Sequence, residues 1–344
     1  MTTRPQVDNP IFADIDALIR RDPAKRGLIA TEPVFGPLCS GHLAGAAQSL
    51  ASDGKRAVIV TGFFIPKANP PAAETDGPPG ACLLALALSA AEIETQVLTD
   101  SQCAPAVQSA AEASGLPQES IVTVPDKLDL EWCRNFLQPT TSPISHLISV
   151  ERVGPSHTWE SFLNQDRDGE PPADRFEELV REPDRDHCHN MRGVVIDEFT
   201  APLHLLFDAA AEHGISTIGV GDGGNEIGMG AVAWEELQRR LPGESAGRVP
   251  CRVATDWNIV AGTSNWGAYA LSAATLLASG KPNELANWDE QHQQSVIESM
   301  VSDRSAVDGV TAEATATVDG IPFLRYIEVW TAIRELVLSD GHET

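Results

Sequence analysis

Two carboxylates lie in a glycine-rich stretch that could hold a divalent cation. Residues 219–230 read GVGDGGNEIGMG, and Asp222 and Glu226 stand four positions apart within it. Residues at this spacing can face one pocket if a helix begins between them. Carboxylate oxygens suit Mg²⁺ or Mn²⁺. The stretch therefore predicts a metal site, although a tight strand-to-helix turn capped by Asp222 or Asn225 would explain the same residues without a ligand.

The same stretch matches the glycine pattern of a dinucleotide-binding turn, but its charge argues against a nucleotide. Residues 219–224 fit GxGxxG. Asp222 inside the turn would repel a pyrophosphate, and Glu235 and Glu236 come too soon after it to hold a ribose. The phosphate-binding sequence GK[ST] occurs nowhere in the chain. We therefore expect no nucleotide cofactor.

Polar residues also stand where predicted strands end and helices begin. Each alone is typical of a helix cap or a surface ion pair, but their recurrence at such positions predicts a polar cleft. The acidic candidates besides Asp222 and Glu226 are Asp76, Asp100 and Glu151. The candidate substrate contacts are Thr61, Gly62, Thr75, Gly77, Arg152, Asn190, Arg192, Gly223, Gly224, Ser264 and Asn265.

The order of the predicted elements supports a cleft of this kind. Apolar, β-rich runs predict strands at 57–64, 95–100, 120–125, 146–152, 193–197 and 216–221. Helical patterns occupy 78–92, 104–115, 201–214, 228–241, about 267–279 and 323–339. Strands that alternate with helices predict an α/β fold with a mostly parallel or mixed sheet flanked by helices. Ligands of such folds bind at the carboxyl ends of the strands.

One stretch departs from this alternation. We predict a single domain over residues 1–344, a length that can bury a sizeable core. Residues 154–189 have no clear helical or strand period and contain the polar sequence RDGEPPADR. A stretch of this kind is typical of a surface insertion or a lid.

Composition limits the partners and the location. The 344 residues include 24 Lys and Arg against 49 Asp and Glu, a formal net charge of −25. We expect no nucleic-acid partner, because phosphate contacts need clustered cations. The most apolar run, at 81–91, is too short to span a membrane, and the acidic N-terminal stretch does not resemble a signal peptide. We expect a cytoplasmic protein that acts on a small molecule, as a monomer or a homo-oligomer.

Several short stretches together resemble the D-glutamate cyclase family. They are AAETDGPPGA, VERVGP, HNMRG, GDGGNEIGMG and SNWGAYAL, with VDGVT and TVDGIP near the end, so the likeness extends from about Val58 to Val329. The resemblance implies an α/β lyase (a carbon–oxygen hydro-lyase) that converts the small acidic amino acid D-glutamate into 5-oxo-D-proline and water. It also implies a divalent metal in an acidic cavity. Residues 154–189 look longer than the connector expected before NMRG, and this departure bears on substrate choice.

Lactam formation sets requirements that the candidate residues could meet. The α-amino group is protonated in solution, so a base must take a proton before the nitrogen attacks the γ-carboxylate. An acid must later protonate the departing oxygen. A metal can polarise that carboxylate. For this reaction we assign the metal to Asp222 and Glu226, together with Glu151 or Asp100. Asn225 and the loop amides, including those of Gly223 and Gly224, would stabilise the developing oxyanion.

The substrate contacts follow from the same reaction. Arg152 or Arg192 would bind the α-carboxylate in a bidentate manner. The helix start at 75–77 would hold the other carboxylate, and Asp76 would orient the amine. Asp76 and Glu226 both qualify as the base.

Two other functions fit the same acidic cleft. One is a metal-dependent phosphatase or hydrolase, which would act on phosphomonoesters and not on D-glutamate. The other is a non-catalytic protein that binds an acidic amino acid, which would show stabilisation by its ligand without turnover.

Overall fold

A six-stranded parallel sheet forms the centre of the protein, whose computed structural model describes residues 10–23, 27–138 and 142–340. The strands of this part of the chain are β1 (Arg56–Thr61), β2 (Phe64–Ile65), β3 (Ala72–Glu74), β4 (Glu94–Thr99), β5 (Ile121–Thr123), β6 (His146–Val150), β7 (Ser216–Gly221), β8 (Trp257–Val260), β9 (Ala306–Val307), β10 (Thr317–Val318) and β11 (Ile321–Pro322). The central sheet has the order β5-β4-β1-β6-β7-β8. The predicted α/β fold is confirmed.

Helices cover both faces of this sheet. They are α1 (Pro10–Ile19), α2 (Glu32–Phe35), α3 (His42–Asp53), α4 (Pro78–Ala90), α5 (Ala104–Ser114), α6 (Leu130–Leu137), α7 (Trp159–Leu163), α8 (Ala173–Leu179), α9 (His204–Ala210), α10 (Trp234–Arg240), α11 (Ser264–Ala278), α12 (Glu290–Ser302) and α13 (Phe323–Asp340). Ala57 and Ile59 of β1 enter the core that contains α4 and α11, whereas Val58 and Val60 enter the opposite core with α6 and α9. A strand buried on both faces therefore requires the continuous apolar run seen in the sequence.

The strand order creates a switch point between β1 and β6. From β1 the chain moves outward through β4 to β5, returns to β6 beside β1, and then moves outward the other way through β7 to β8. Val60 is in register with Leu98 of β4 and with Ser149 of β6. Open parallel sheets bind ligands at the carboxyl ends of the strands beside such a point. Thr61 ends β1 and Glu151 follows β6 there.

Helices α4 and α11 cap each other beside the switch point. Asn265 Oδ1 accepts hydrogen bonds from the amides of Gly77 at 3.0 Å and Gly80 at 2.8 Å, at the start of α4. Asp76, which precedes α4, accepts the amides of Ser264 and Asn265 at the start of α11, both at 2.8 Å. The first amides of a helix need such acceptors. The stretches around residues 76 and 265 thus form one structural unit.

Some predicted element boundaries near the site were wrong. Residues 193–197 do not form a strand: Val195 makes a single bridge to His189, and Val194 and Val195 are exposed, so no core covers them. The helix predicted over 228–241 begins only at Trp234, because the residues before it bridge to Ala254. The helix predicted from about residue 267 begins earlier, at the capped N-terminus of α11.

Residues 154–189 form short helices held by aromatic packing. Phe162 of α7 and Phe176 of α8 stack with their ring centroids 4.1 Å apart. Both rings pack edge-on against Trp234, the first residue of α10. The Gln165 side chain also accepts the amide of Trp234 at 2.8 Å. Residues 154–189 therefore pack against the segment that follows the glycine-rich loop. Their role as an insertion or lid stays a prediction.

Two other expectations concern membranes and the N-terminus. Within the three described ranges, no helix has the length and apolar character needed to cross a membrane. Residues 1–9, which belong to the stretch examined for a signal peptide, lie outside those ranges.

Gly228 is a position where the glycine-rich motif cannot accept a side chain without cost. Its φ is +114°, and a Cβ there would lie 2.5 Å from Asn258 Oδ1 and 2.8 Å from Gly219 Cα. We expect Gly228→Ala to lower the free energy of unfolding by about 1–3 kcal/mol through overpacking, in addition to about 1–2 kcal/mol of backbone strain. Denaturant unfolding measures the loss.

Gly243→Ala is the matched control for this variant. Gly243 has a φ of +81° with open space around it, so its variant carries the backbone strain alone. Equal losses in the two variants would show that the close approach to Asn258 has no energetic weight.

Candidate active site

A cavity of about 310 Å³ opens at the switch point. This volume lies at the lower end of the range for small-molecule sites, about 300–1,000 Å³. Acidic, basic and apolar side chains share its wall, which consists of Phe63, Phe64, Ile65, Pro66, Lys67, Glu74, Glu151, Asn190, Met191, Arg192, Asp222, Asn225, Glu226, Gly309, Val310, Ala312 and Asp319.

Glu226 organises the glycine-rich loop from within. Its Oε1 accepts the amides of Asp222 at 3.2 Å and Gly223 at 2.6 Å, and its Oε2 accepts the amide of Gly224 at 2.7 Å. Successive amides that converge on a carboxylate form an anion-binding nest. The amides that we expected to stabilise a substrate oxyanion are therefore donated to Glu226 instead.

The turn that contains HNMRG brings Arg192 to the cavity. Asn190 Oδ1 accepts the amides of Arg192 at 3.0 Å and Val194 at 3.1 Å, which closes a tight turn. Asn225 Nδ2 donates to the carbonyl of His189 at 2.9 Å and ties this turn to the glycine-rich loop. Asn225 keeps its second amide proton for another acceptor. Asn190, Arg192 and Asn225 all line the cavity.

Carboxylate oxygens gather in two groups that share Asp222. One group is Asp76, Asp222 and Asp319, and the other is Glu151, Asp222 and Glu226. Within each group, one oxygen from each residue lies within 4.8 Å of the others. Oxygen donors at this spacing fit a hard divalent cation such as Mg²⁺ or Mn²⁺.

Two of the cavity carboxyl groups are strongly perturbed. Burial raises the pKa of Glu74 well above its usual value, and the nearby charges of Asp319 and Asp76 raise it further. Burial also raises the pKa of Glu151, with Glu226 and Glu74 as the next contributors. Carboxylates in such surroundings favour a compensating positive charge. The donor set therefore fits a bound cation.

Arg152 and Asp100 form a buried ion pair behind the cavity wall. Arg152 Nη2 lies 2.6 Å from Asp100 Oδ2, and both side chains are 1% exposed. The guanidinium also donates to the carbonyls of Gly62 and Ala201. Burial alone would raise the pKa of Asp100, but Arg152 and the amides of Cys103 and Ala201 bring it below its usual value. The structure thus places Asp100 with Arg152 and apart from both carboxylate groups. Among the described residues, Arg192 is the arginine that lines the cavity.

Comparison with known protein families identifies the family of this chain. A family model described as D-glutamate cyclase-like, C-terminal, matches residues 15–185 and 177–336. The chain belongs to the D-glutamate cyclase-like family. The resemblance drawn from the motifs is therefore confirmed.

A human protein named D-glutamate cyclase, mitochondrial, is similar to this chain. It is 32% identical over 273 residues, which cover 77% of this chain and 38% of the human protein. The chain therefore spans less than half the length of that relative. The word mitochondrial describes the human protein, and a cytoplasmic location stays a prediction for this chain.

Several predicted contacts lie behind the cavity wall and position the residues that line it. Thr75 Oγ1 donates to the carbonyl of Thr317 at 2.7 Å, and Ser264 Oγ donates to Glu151 Oε2. The predicted contacts that do not line the cavity are Thr61, Gly62, Thr75, Gly77, Arg152, Gly223, Gly224, Ser264 and Asn265.

Other wall residues were not singled out in the sequence. Glu74 stands just before the predicted helix start at 75–77, and Asp319 lies within TVDGIP. Their positions in these family motifs were the sequence feature that could have identified both residues. Asp308 positions the Asp319 segment: its Oδ2 accepts Thr317 Oγ1 and the amide of Gly320, both at 2.7 Å. The apolar run from Phe63 to Pro66 offered no chemical signal.

Removal of Arg152 should leave the buried charge of Asp100 without a counter-charge. We expect Arg152→Met to lower the free energy of unfolding by about 3–5 kcal/mol, and Arg152→Met/Asp100→Asn to recover most of the loss. The folded pKa of Asp100 lies below its unfolded value of about 3.9. Its contribution is therefore present above that pH and is lost as the pH falls through the folded pKa. Denaturant unfolding between neutral and acidic pH measures both effects.

The exposed pair of Arg175 and Glu178 provides the control. Their side chains are 48% and 66% exposed, so Arg175→Met should cost only about 0–1 kcal/mol. If Arg152→Met is as mild as this control, or if the double variant is no more stable than the single one, the Arg152–Asp100 pair has no structural role.

Proposed function

We propose that this chain is a lyase that cyclises D-glutamate to 5-oxo-D-proline with loss of water, assisted by Mn²⁺ or Mg²⁺. The observation that carries the proposal is the cavity itself, where five carboxylates and two cations meet in a member of the D-glutamate cyclase-like family. The name of the human relative, D-glutamate cyclase, supports D-glutamate as the substrate. A wall with both signs of charge suits an amino acid that carries an ammonium group and two carboxylates.

Asp222 would be the central ligand of the cation, because it belongs to both carboxylate groups. Glu151 and Asp319 would complete the donor set from the two sides. Glu226 would contribute less to cation binding, since its oxygens already accept hydrogen bonds from three loop amides. When bound, the ion would supply Lewis-acid polarisation of the substrate γ-carboxylate.

Arg192 binds the α-carboxylate of the substrate in this proposal. It is exposed at the cavity and has no ion-pair partner within the described ranges. A guanidinium can hold a carboxylate through two parallel hydrogen bonds. With the α-carboxylate at Arg192, the γ-carboxylate would lie beside the carboxylate groups around Asp222 that would hold the cation. The substrate chain is then folded so that the amine can approach the carboxyl carbon of the γ-carboxylate, which removes much of the entropic barrier.

Glu74 is the best placed group for proton transfer. It lines the cavity and belongs to neither of the two carboxylate groups that would hold the cation. Burial and its acidic neighbours raise the pKa of its carboxyl, which suits a group that accepts a proton from the ammonium and gives it to the leaving oxygen. The nitrogen loses two protons in all, and the oxygen leaves as water with both of them. Asp76 is less suited, because its oxygens accept the amides of Ser264 and Asn265.

The proposed reaction can be observed directly by proton NMR. We expect purified protein with Mn²⁺ or Mg²⁺ to form 5-oxoproline from D-glutamate and not from L-glutamate. EDTA should abolish the product, since the reaction needs Lewis-acid assistance. For samples with Mn²⁺, the ion is chelated after the reaction and before the spectrum is recorded.

A phosphomonoester assay and thermal unfolding with D-glutamate, run on the same preparation, identify the rival functions. Hydrolysis of phosphomonoesters without lactam formation would indicate a phosphatase. Thermal stabilisation by D-glutamate without any product would indicate a binding protein. Equal turnover of both enantiomers, or full activity after EDTA, would contradict the proposed specificity or the proposed metal.

Asp222→Asn and Glu226→Gln should separate metal binding from loop support. We expect Asp222→Asn to weaken Mn²⁺ binding at least about tenfold without loss of thermal stability, because it relieves repulsion among the carboxylates. Glu226→Gln should lower the free energy of unfolding by about 1–3 kcal/mol, since the Gln side-chain nitrogen cannot accept a loop amide. Calorimetric titration of Mn²⁺ and thermal unfolding give the two readouts.

Asp53→Asn is the control for these variants, because Asp53 is exposed at the end of α3 and does not line the cavity. It should change neither readout. Wild-type metal affinity in Asp222→Asn would remove Asp222 from the proposed ligand set.

A further inference from the structure

Lys67 is a second cation on the wall of the acidic cavity. It lies in the turn between β2 and β3, whereas Arg192 lies in the turn at 190–193, and both residues line the cavity. Both are exposed, so the two cations stand where the cavity meets solvent. The buried carboxylates Glu74 and Glu151 lie deeper. The cavity therefore has an acidic floor and a basic opening.

The hairpin that carries Lys67 is held in place by regular pairing. Phe64 pairs with Ala73, and Ala73 also pairs with Ala306 of β9. The Phe64 ring stacks on Phe199 at 5.8 Å between centroids. Because β3 ends at Glu74, one hairpin presents a cation at the opening and a carboxyl at the floor.

Neither cation is neutralised by a neighbour. Lys67 and Arg192 take part in no ion pair within the described ranges, although the chain contains 49 acidic and only 24 basic residues. The hairpin and the turn keep both cations beyond ion-pair distance of the carboxylates in the same cavity. Each of these unpaired cations can therefore form a charge-assisted hydrogen bond with an anion from solution.

We propose that Lys67 is a specificity-determining residue that binds the substrate α-carboxylate together with Arg192. This inference rests on the proposed function. A carboxylate has two oxygens with about four acceptor positions, so it can take a bidentate guanidinium and, in addition, the point charge of an ammonium. The two cations come from separate segments and hold the same group. Lys67 thereby makes an α-carboxylate a requirement for tight binding.

The binding of two substrate analogues, each of which lacks one functional group of glutamate, tests this role of Lys67. Glutarate keeps both carboxylates and lacks the amine, whereas 4-aminobutanoate keeps the amine and the distal carboxylate and lacks the α-carboxylate. With Mn²⁺ present, we expect Lys67→Met to raise the dissociation constant of glutarate about tenfold, the loss of one hydrogen bond to a charged group. The dissociation constant of 4-aminobutanoate should not change. Calorimetric titration measures both values.

Two further variants control the experiment. Lys67→Arg keeps the charge and should bind glutarate within about threefold of the wild type, because an exposed ion pair tolerates a change of geometry. Lys127→Met removes an exposed lysine that does not line the cavity and should affect neither probe. For D-glutamate turnover, Lys67→Met should raise KM about tenfold and leave kcat within about twofold, as expected when uniform binding is lost.

The outcomes distinguish this inference from the proposed function. Equal weakening of both probes, no weakening of either, or no binding of glutarate to the wild type would overturn the role of Lys67. Lactam formation with an unchanged KM in Lys67→Met would overturn it while the proposed function stands. Selective loss of glutarate binding in a protein that forms no lactam would support Lys67 as a carboxylate ligand and refute the cyclase.

Discussion

Repulsion among buried carboxylates must be overcome before this site can form. Like charges in a poorly solvated cavity raise the free energy of the folded state unless donors or cations compensate them. The fold supplies backbone donors for part of this charge. Glu226 accepts three amides of the glycine-rich loop, and Asp76 accepts the first amides of α11. The remaining acidic groups are spaced so that they could hold a cation.

The direction of backbone amides decides which acid is structural and which is available for chemistry. Asp308 and Glu226 are both fully buried. The carboxylate oxygens of both accept hydrogen bonds from neighbouring backbone amides. Asp222 belongs to two carboxylate groups, and Glu74 faces the cavity. The acidic motifs therefore contain both carboxylates that support the backbone and carboxylates that line the cavity, and residue type does not distinguish them.

The cations show the same division. Arg152 lies beneath the strand ends, where it neutralises Asp100 and binds two carbonyls, so it supports the sheet. Arg192 and Lys67 stand at the opening, where solvent can reach them. The acidic floor and the basic opening give the cavity two ends of opposite charge.

Local sequence was sufficient for the fold class, the family and the edge of the sheet that carries the site. Buried strands need continuous apolar runs such as residues 57–60, and alternation with helices then requires a parallel sheet whose ligands bind at the strand ends. Local sequence did not reveal that the Gly223 and Gly224 amides bind Glu226, that Arg152 is buried, or that Lys67 and Asp319 share a cavity with Glu74. These features depend on contacts between distant segments, such as that of Thr75 with Thr317, 242 positions apart. The periodicity and spacing of residues in the sequence do not predict such contacts, because the contacts form only when packing brings the segments together.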